Sequence, residues 1–137
     1  MNIIVTDLLA AGVGAFFGGV LRYACELVSD LWINPPFADP LAVLIVNAVG
    51  CFIIGLFTGW ALKKIVPKDW HTIITTGFCG GLTTFSSFAQ GITVLFMGGH
   101  IWVGIFYILA DMILGLFAVY AGLFLVMGKD YGEELLK

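Results

Sequence analysis

The chain has few charged residues and only one arginine, Arg22. Charged residues make up 11% of its 137 positions, whereas about a quarter is usual in a soluble domain. Hydrophobic residues make up 61%, and glycine occurs 18 times. This composition excludes an ordinary soluble domain, because so much apolar surface could not be buried in a core of this size. It indicates an integral membrane protein with no nucleic-acid partner.

Cysteine and histidine are also scarce, which weighs against metal chemistry and catalysis by side chains. The three cysteines fall in or at the end of different apolar segments and show no metal-ligand spacing. A nucleophilic Ser86 or Ser87 would need a histidine base within hydrogen-bond reach. His71 and His100 are 15 and 13 residues away, which is roughly 20 Å along a helix. The chain is therefore predicted not to be an enzyme.

Long hydrophobic runs are plentiful and predict one transmembrane domain over residues 1–137. Spans of ~20 residues or more, enough for ~30 Å of hydrocarbon, are expected at about 8–28, 41–62, 70–97 and 101–126. With four spans, the second loop and both termini share one side of the membrane. That side holds all five lysines, and the other two loops hold no lysine or arginine. The positive-inside rule then predicts cytoplasmic termini.

The third span contains a stretch, Gly77–Phe88, whose composition is unusual for a lipid-facing helix. Three glycines and four hydroxyl residues occur within its twelve positions. Irregular backbone in a membrane persists only where it is buried in protein or lines a wet cavity, so a bent, pore-lining helix is predicted. Phe85 and Phe88 lie at i, i+3 and should share a face. A seam of small residues for helix packing is the alternative, and GxxxG spacings starting at Gly14 and Gly55 indicate similar seams.

Three polar side chains within the spans are candidate functional residues, because such groups are costly in a bilayer. Arg22 either serves a site, lies at the mouth of an anion pathway, or extends to the interface with Glu26 as its i, i+4 partner. Asn47 either bridges helices or faces a pathway, where its amide could donate to an anion. Asp111 must pair, bind a proton or meet water.

Several motifs together resemble the Fluc (CrcB) fluoride channels. The most specific is Gly-Gly-Leu-Thr-Thr-Phe-Ser-Ser-Phe at residues 80–88. Gly-Gly-Val-Leu-Arg-Tyr at 18–23 and Val-Asn-Ala-Val-Gly-Cys-Phe at 46–52 occur in the right order, and Tyr107 with Gly115 fits the fourth span. The match covers essentially the whole chain. It implies a passive fluoride channel of a prokaryotic plasma membrane that confers fluoride resistance.

The resemblance also implies an architecture and a bound ion. Members of this family are all-α, with four transmembrane helices per subunit, and form antiparallel, dual-topology dimers with two pores along the subunit interface. The third helix is expected to break at Gly80–Thr83. A structural Na⁺ at the dimer interface is expected to be held by backbone carbonyls of Gly80 and Thr83 from both subunits.

Residue roles follow from the same resemblance. Arg22 matches the first-span arginine and is expected in a vestibule or in a structural role. Ring edges of the two phenylalanines, a so-called Phe box, are expected to face the ion, since they carry partial positive charge. The residues expected along the fluoride path are Asn47, Thr84, Phe85, Ser86, Ser87, Phe88 and Tyr107.

Some features depart from the family pattern and keep alternatives open. Asp111 stands where many members have a serine, and an ionised acid would oppose anion permeation. The lysine bias suggests a chain that inserts one way and pairs with a second, oppositely oriented member as a heterodimer. A non-conducting partner subunit is another alternative, which Asp111 keeps open. A small proton-coupled exporter is a further alternative, but the only first-span carboxylate within the apolar run is Glu26, near its end. The primary expectation remains an antiparallel homodimer that binds fluoride and is surrounded by lipid.

Overall fold

The computed structural model describes residues 3–128 and residue 133, and the described part is helical with no strand. The long helices are α1 (Ile3–Trp32), α2 (Ala38–Leu62) and α6 (Ile101–Met127). Between α2 and α6 lie α3 (Lys68–His71), a π-helix (Thr72–Cys79), α4 (Gly80–Leu82) and α5 (Phe85–Met97). We call residues 68–97 the broken segment.

Helices α1, α2 and α6 are each long and apolar enough to cross a membrane. They have 30, 25 and 27 residues, and ~20 are needed. Three of the four predicted spans thus coincide with helices that could cross a membrane. Helix α1 extends beyond the predicted span at both ends, and α2 begins earlier than predicted but ends at the predicted residue. The broken segment, predicted as the span 70–97, contains no single helix of spanning length among its described residues. The count of four spans therefore stays a prediction.

The break in the third segment lies at Thr83 and Thr84, at the C-terminal edge of the predicted position. Both residues are extended, with φ/ψ of −81°/151° and −153°/124°, while Gly80–Leu82 is helical. The glycines serve packing instead: a Cβ on Gly81 would collide with the backbone of Ala15 in α1. The hydroxyl residues can end a helix because their side chains satisfy nearby backbone groups. Thr83 Oγ1 accordingly donates to the Cys79 carbonyl at 2.8 Å.

The GxxxG spacings mark helix contacts within the chain. A Cβ on Gly14 or Gly18 of α1 would meet backbone atoms of the π-helix and α4. A Cβ on Gly55 of α2 would meet backbone atoms around Gly122 of α6. Such close approach of backbones is how helices associate in lipid, where no hydrophobic driving force acts between them. The two seams hold the broken segment on α1 and join α2 to α6.

The first loop is shorter than predicted, because α1 continues to Trp32 and α2 begins at Ala38. Pro40, predicted in the loop, lies in the first turn of α2, where a missing N–H costs nothing.

At the opposite end of the bundle, the Lys68 ammonium bonds to the Asp7 carboxylate at 2.8 Å. This hydrogen bond raises the pKa of Lys68. The basic loop is thereby linked to the start of α1.

Candidate functional site

The centre of the candidate site is the break itself, where hydroxyl side chains replace the missing helical hydrogen bonds. Thr84 caps α5: its Oγ1 accepts from the Ser87 N–H at 3.2 Å. The same oxygen is 3.0 Å from Ser86 Oγ and 3.4 Å from Ser87 Oγ. The structure therefore brings together three of the predicted path residues in one hydroxyl cluster at the start of α5.

Asn47 connects α2 to the break and to α6. Its Oδ1 accepts from the Thr84 backbone N–H at 2.8 Å, and its Nδ2 lies 3.4 Å from the Thr84 carbonyl. Nδ2 also donates to both carboxylate oxygens of Asp111, at 3.2 and 3.3 Å. Asn47 thus bridges helices, one of the two roles open to it from sequence. Asp111 is paired through this amide, and among the described residues it takes part in no ion pair.

Three aromatic rings follow one another beside the break. The centroids of Phe85 and Phe88 are 5.8 Å apart, and those of Phe88 and Tyr107 are 5.2 Å apart. Phe85 is 79% exposed, whereas Phe88 and Tyr107 are buried with Val43 and Leu95. The predicted shared face of the two phenylalanines is confirmed, but one ring is open to the surroundings and the other lies in the core.

The buried Tyr107 hydroxyl has no hydrogen-bond partner among the described residues. Its ring lies against Gly91, where an added Cβ would come within 3.3 Å of Tyr107 Cε1 and 3.6 Å of the hydroxyl oxygen. A buried donor without a partner is costly, about 1–3 kcal/mol. This hydroxyl is therefore available to a group that the chain itself does not supply.

Two recesses lie beside the start of α5. We call the first the central recess. The described residues that line it include no lysine, arginine or histidine; they are Asn47, Cys51, Thr83, Thr84, Phe85, Phe88, Asp111, Met112 and Gly115. The second, the acidic recess, lies below the first loop and is bordered by Glu26, Asp30 and Asp39, with Ser87 and Gln90 from α5. The hydroxyl cluster stands between them, since Thr84 lines one and Ser87 the other.

Arg22 binds two partners at the break. Its Nε donates to the Gly81 carbonyl at 3.3 Å, and its guanidinium bonds to Glu26 Oε1 at 3.1 Å. The i, i+4 pair considered from sequence is present, but Arg22 also reaches across to the broken segment. Geometrically it is a clamp between α1 and α4, while its role in a vestibule stays a prediction.

Gly80 and Thr83 were predicted to supply carbonyls to a sodium ion. In an uninterrupted α-helix the Thr84 N–H would donate to the Gly80 carbonyl, but here it is committed to Asn47. The break therefore releases the Gly80 carbonyl on an exposed part of the chain. Among the described residues no cluster of histidine, cysteine or acidic side chains could hold a metal ion, so a cation here would depend on backbone oxygens.

Two features of the site did not follow from the sequence reasoning. The pairing of Asn47 with Asp111 was missed, although both are polar residues within spans and each needs a partner. The convergence of Glu26, Asp30 and Asp39 was also missed. The i, i+4 spacing of Glu26 and Asp30 predicts that these two carboxylates share a helix face. The approach of Asp39 depends on the geometry of the first loop, which the sequence does not show.

Fold and site define an all-helical, multi-pass membrane protein with a polar break at its centre. Residues 9–123 match the family model described as CrcB-like protein, Camphor Resistance (CrcB). The chain therefore belongs to the CrcB family.

Curated relatives cover nearly the whole chain. One from Methanocaldococcus jannaschii is 37% identical over 86% of this chain and 92% of the relative. One from Francisella tularensis subsp. tularensis is 35% identical over 88% and 95%, and one from Prosthecochloris aestuarii is 31% identical over 85% and 89%. Each of these relatives is named a fluoride-specific ion channel, FluC. The family is thus one of ion channels, which confirms the expectation that the chain is not an enzyme.

Proposed function

We propose that this chain is the subunit of a passive, fluoride-selective channel that lets the cell export fluoride. The observation that carries the proposal is the central recess, in which hydroxyls, an amide and aromatic rings meet at a helix break, with no cationic side chain among the described lining residues. The names of the relatives support the same function. The proposed fluoride path follows Asn47, Thr84, Phe85, Ser86, Ser87, Phe88 and Tyr107.

The chemistry of this set suits a small, strongly hydrated anion. Hydroxyl and amide N–H groups can replace water around fluoride, and ring edges present partial positive charge to it. Conduction needs sites that bind the ion and also release it, so the absence of lysine and arginine from the recess wall favours passage over tight binding. The unpartnered hydroxyl of Tyr107 offers one more donor at the end of the ring series.

We further propose that a structural Na⁺ is held by the carbonyls of Gly80 and Thr83. Sodium is a hard cation that suits oxygen ligands, as calcium and magnesium do. The position of Gly80 supports this assignment, because the residue is exposed and the helical N–H partner of its carbonyl is diverted to Asn47. The sodium ion would supply a fixed positive charge at the break without adding an acidic side chain that repels the anion.

One chain supplies too few ligands for that ion, so the proposal includes an antiparallel homodimer of four-span subunits. In it, a second copy contributes the same carbonyls, and Phe85 of each subunit, 79% exposed here, faces the partner across a pore. The exporter alternative loses support from the geometry, because Glu26, the carboxylate within the first predicted span of 8–28, is paired with Arg22.

The experiment that tests the function is fluoride efflux from liposomes containing this protein alone, with chloride as the control anion. We expect efflux of fluoride well above that of empty liposomes and little efflux of chloride. Folded protein that releases neither ion contradicts a homodimeric channel. Restoration of efflux by a second, oppositely oriented family member would then identify a heterodimer.

The aromatic path predicts that Phe85→Ile and Phe88→Ile each impair fluoride efflux. For Phe85→Ile the stability should not change, because the ring is exposed; Phe88→Ile should lower it by about 1–3 kcal/mol, since Phe88 is 6% exposed in the core. Phe117→Ile, in α6 with 66% exposure, is the matched control and should conduct normally. Unaltered efflux in both Phe85 and Phe88 variants would remove the aromatic rings from the path.

A further inference from the structure

Asp111 is a carboxylate in the wall of the central recess, a place where the proposed function calls for hydrogen-bond donors. It lines the recess together with Asn47, Phe85 and Phe88. Its half-buried side chain has no lysine, arginine or histidine as an ion-pair partner among the described residues. An uncompensated negative charge at such a position repels an anion over several ångströms.

The Asp111 carboxylate also takes up the N–H donors of Asn47, the amide in the recess that could otherwise bind an anion. Both Asp111 oxygens accept from Asn47 Nδ2, at 3.2 and 3.3 Å, and the Asn47 oxygen is turned toward the Thr84 N–H. Nδ2 has two hydrogens, and its second acceptor is the Thr84 carbonyl at 3.4 Å. Asn47 therefore has no donor left for an ion in the recess.

We propose that Asp111 is the residue that limits conduction in this chain, because its charge and its hold on Asn47 oppose fluoride in the central recess. The inference rests on the proposed function and adds a determinant of rate to it. While Asp111 is ionised and bonded to Asn47, fluoride passes the recess slowly. Neutralising the carboxyl removes the repulsion and frees Asn47 to share its N–H groups.

Other ionisable groups near Asp111 do not supply a compensating charge. The titratable neighbours are Cys51 of α2, which lines the recess, and Tyr107 of α6, whose ring packs on Phe88. Neither side chain carries a positive charge in any protonation state. Helix α5, which brings Phe85 and Phe88 to the recess, contains no ionisable side chain. Asp111 is therefore the one described side chain in the wall of the recess that carries a charge.

The test is fluoride efflux from liposomes with wild-type protein, Asp111→Asn and Asp111→Glu. Asparagine has nearly the same shape but carries no charge and offers one oxygen acceptor in place of the two that bond to Asn47. The variant therefore removes the repulsion and weakens the hold on Asn47, and we expect efflux to rise by about tenfold or more. Glutamate keeps the charge, and its efflux should stay at or below the wild-type rate. Asp69→Asn, an exposed acid in α3, is the control and should change nothing.

A conducting wild type whose rate is not raised by Asp111→Asn overturns the inference and leaves the channel function standing. Efflux that is absent from wild type and from every variant overturns the inference and contradicts the homodimeric channel as well. Size-exclusion profile and helical circular dichroism establish that each variant is folded. Asp111→Ser is the second neutral variant, and a rise there supports the inference even if the asparagine variant fails to fold.

Discussion

At the scale of single residues, Asn47 does the most to fix the break in place. The break leaves the Thr84 N–H without a helical acceptor, and an unpaired backbone group away from water is costly. Asn47 supplies the acceptor at 2.8 Å and, through its other end, the donor that Asp111 needs. One amide thus satisfies a main-chain group and a carboxylate on two different elements.

Asn47→Ala should therefore destabilise the protein by about 1–3 kcal/mol, because it leaves the Thr84 N–H and the Asp111 carboxylate unpaired together. Asn34→Ala, at an exposed position in the first loop, is the control for loss of an asparagine amide. Both can be compared with wild type by denaturant titration in detergent micelles. Equal midpoints for the two variants would show that the Asn47 bridge carries no stability.

The sequence identified the polar residues within the spans more readily than it identified the residues to which they bond. Arg22, Asn47 and Asp111 stand out in a chain this apolar, since each polar group in a span needs a reason. Which of them pair depends on the rotation of α2 and α6 against each other, and that rotation is set by packing over whole helices. The Asn47–Asp111 bridge was therefore beyond local pattern, whereas Arg22–Glu26 followed from spacing alone.

At the scale of elements, the broken segment is held against α1 by backbone contact rather than by large side chains. A Cβ on Gly18 would collide with the Phe78 carbonyl and lie 2.8 Å from the Leu82 amide nitrogen. Backbone atoms cannot turn aside as a flexible side chain can. The position of the glycines in α1 therefore decides how near the π-helix and α4 can lie.

Gly18→Ala should force α1 away from the broken segment and cost about 1–3 kcal/mol, the usual range for overpacking. Gly12→Ala is the matched control in the same helix, because nothing lies within 4 Å of its added Cβ. That substitution should be neutral or stabilising by up to about 1 kcal/mol, since alanine is the better helix former. Thermal melting of both variants in the same detergent checks this, and the prediction fails if Gly18→Ala melts no lower than Gly12→Ala.

The element boundaries show where the sequence signal was ambiguous. The glycine-rich stretch predicted a bent helix, and the family resemblance placed the break at Gly80–Thr83. Gly77 and Gly81 instead pack against α1, and the two threonines end the helix. Glycine can either end a helix or let two helices pack closely, and only the position of the neighbouring helix shows which of the two it does. The helix ends at 62 and 127 agreed to within one residue with the predicted spans, because loss of hydrophobicity at the membrane edge is a strong local signal.

At the scale of the whole molecule, the distribution of lysine is the feature that bears on assembly. Lys63, Lys64 and Lys68 lie in or next to the second loop, and the first and third loops have no lysine or arginine. The predicted contributions of Lys129 and Lys137 fall outside the described residues. A dimer made of one chain in antiparallel arrangement requires that the chain insert both ways, which the lysine bias opposes.

The orientation of the chain can be measured with a reporter at Lys137, and the three loop lysines should control it. For the proposed homodimer we expect a mixed population of both orientations; one orientation only would contradict it and leave pairing with a second family member. Replacing Lys63, Lys64 and Lys68 by glutamine should raise the share of chains with an external C-terminus, because lysine in short loops resists transfer across the membrane. Asp7→Asn is the control: it removes the partner of Lys68, but acidic residues contribute little to orientation. If the glutamine variant has the same distribution of orientations as wild type, the loop lysines do not set the topology. The charge asymmetry would then be no argument against a dimer of identical chains.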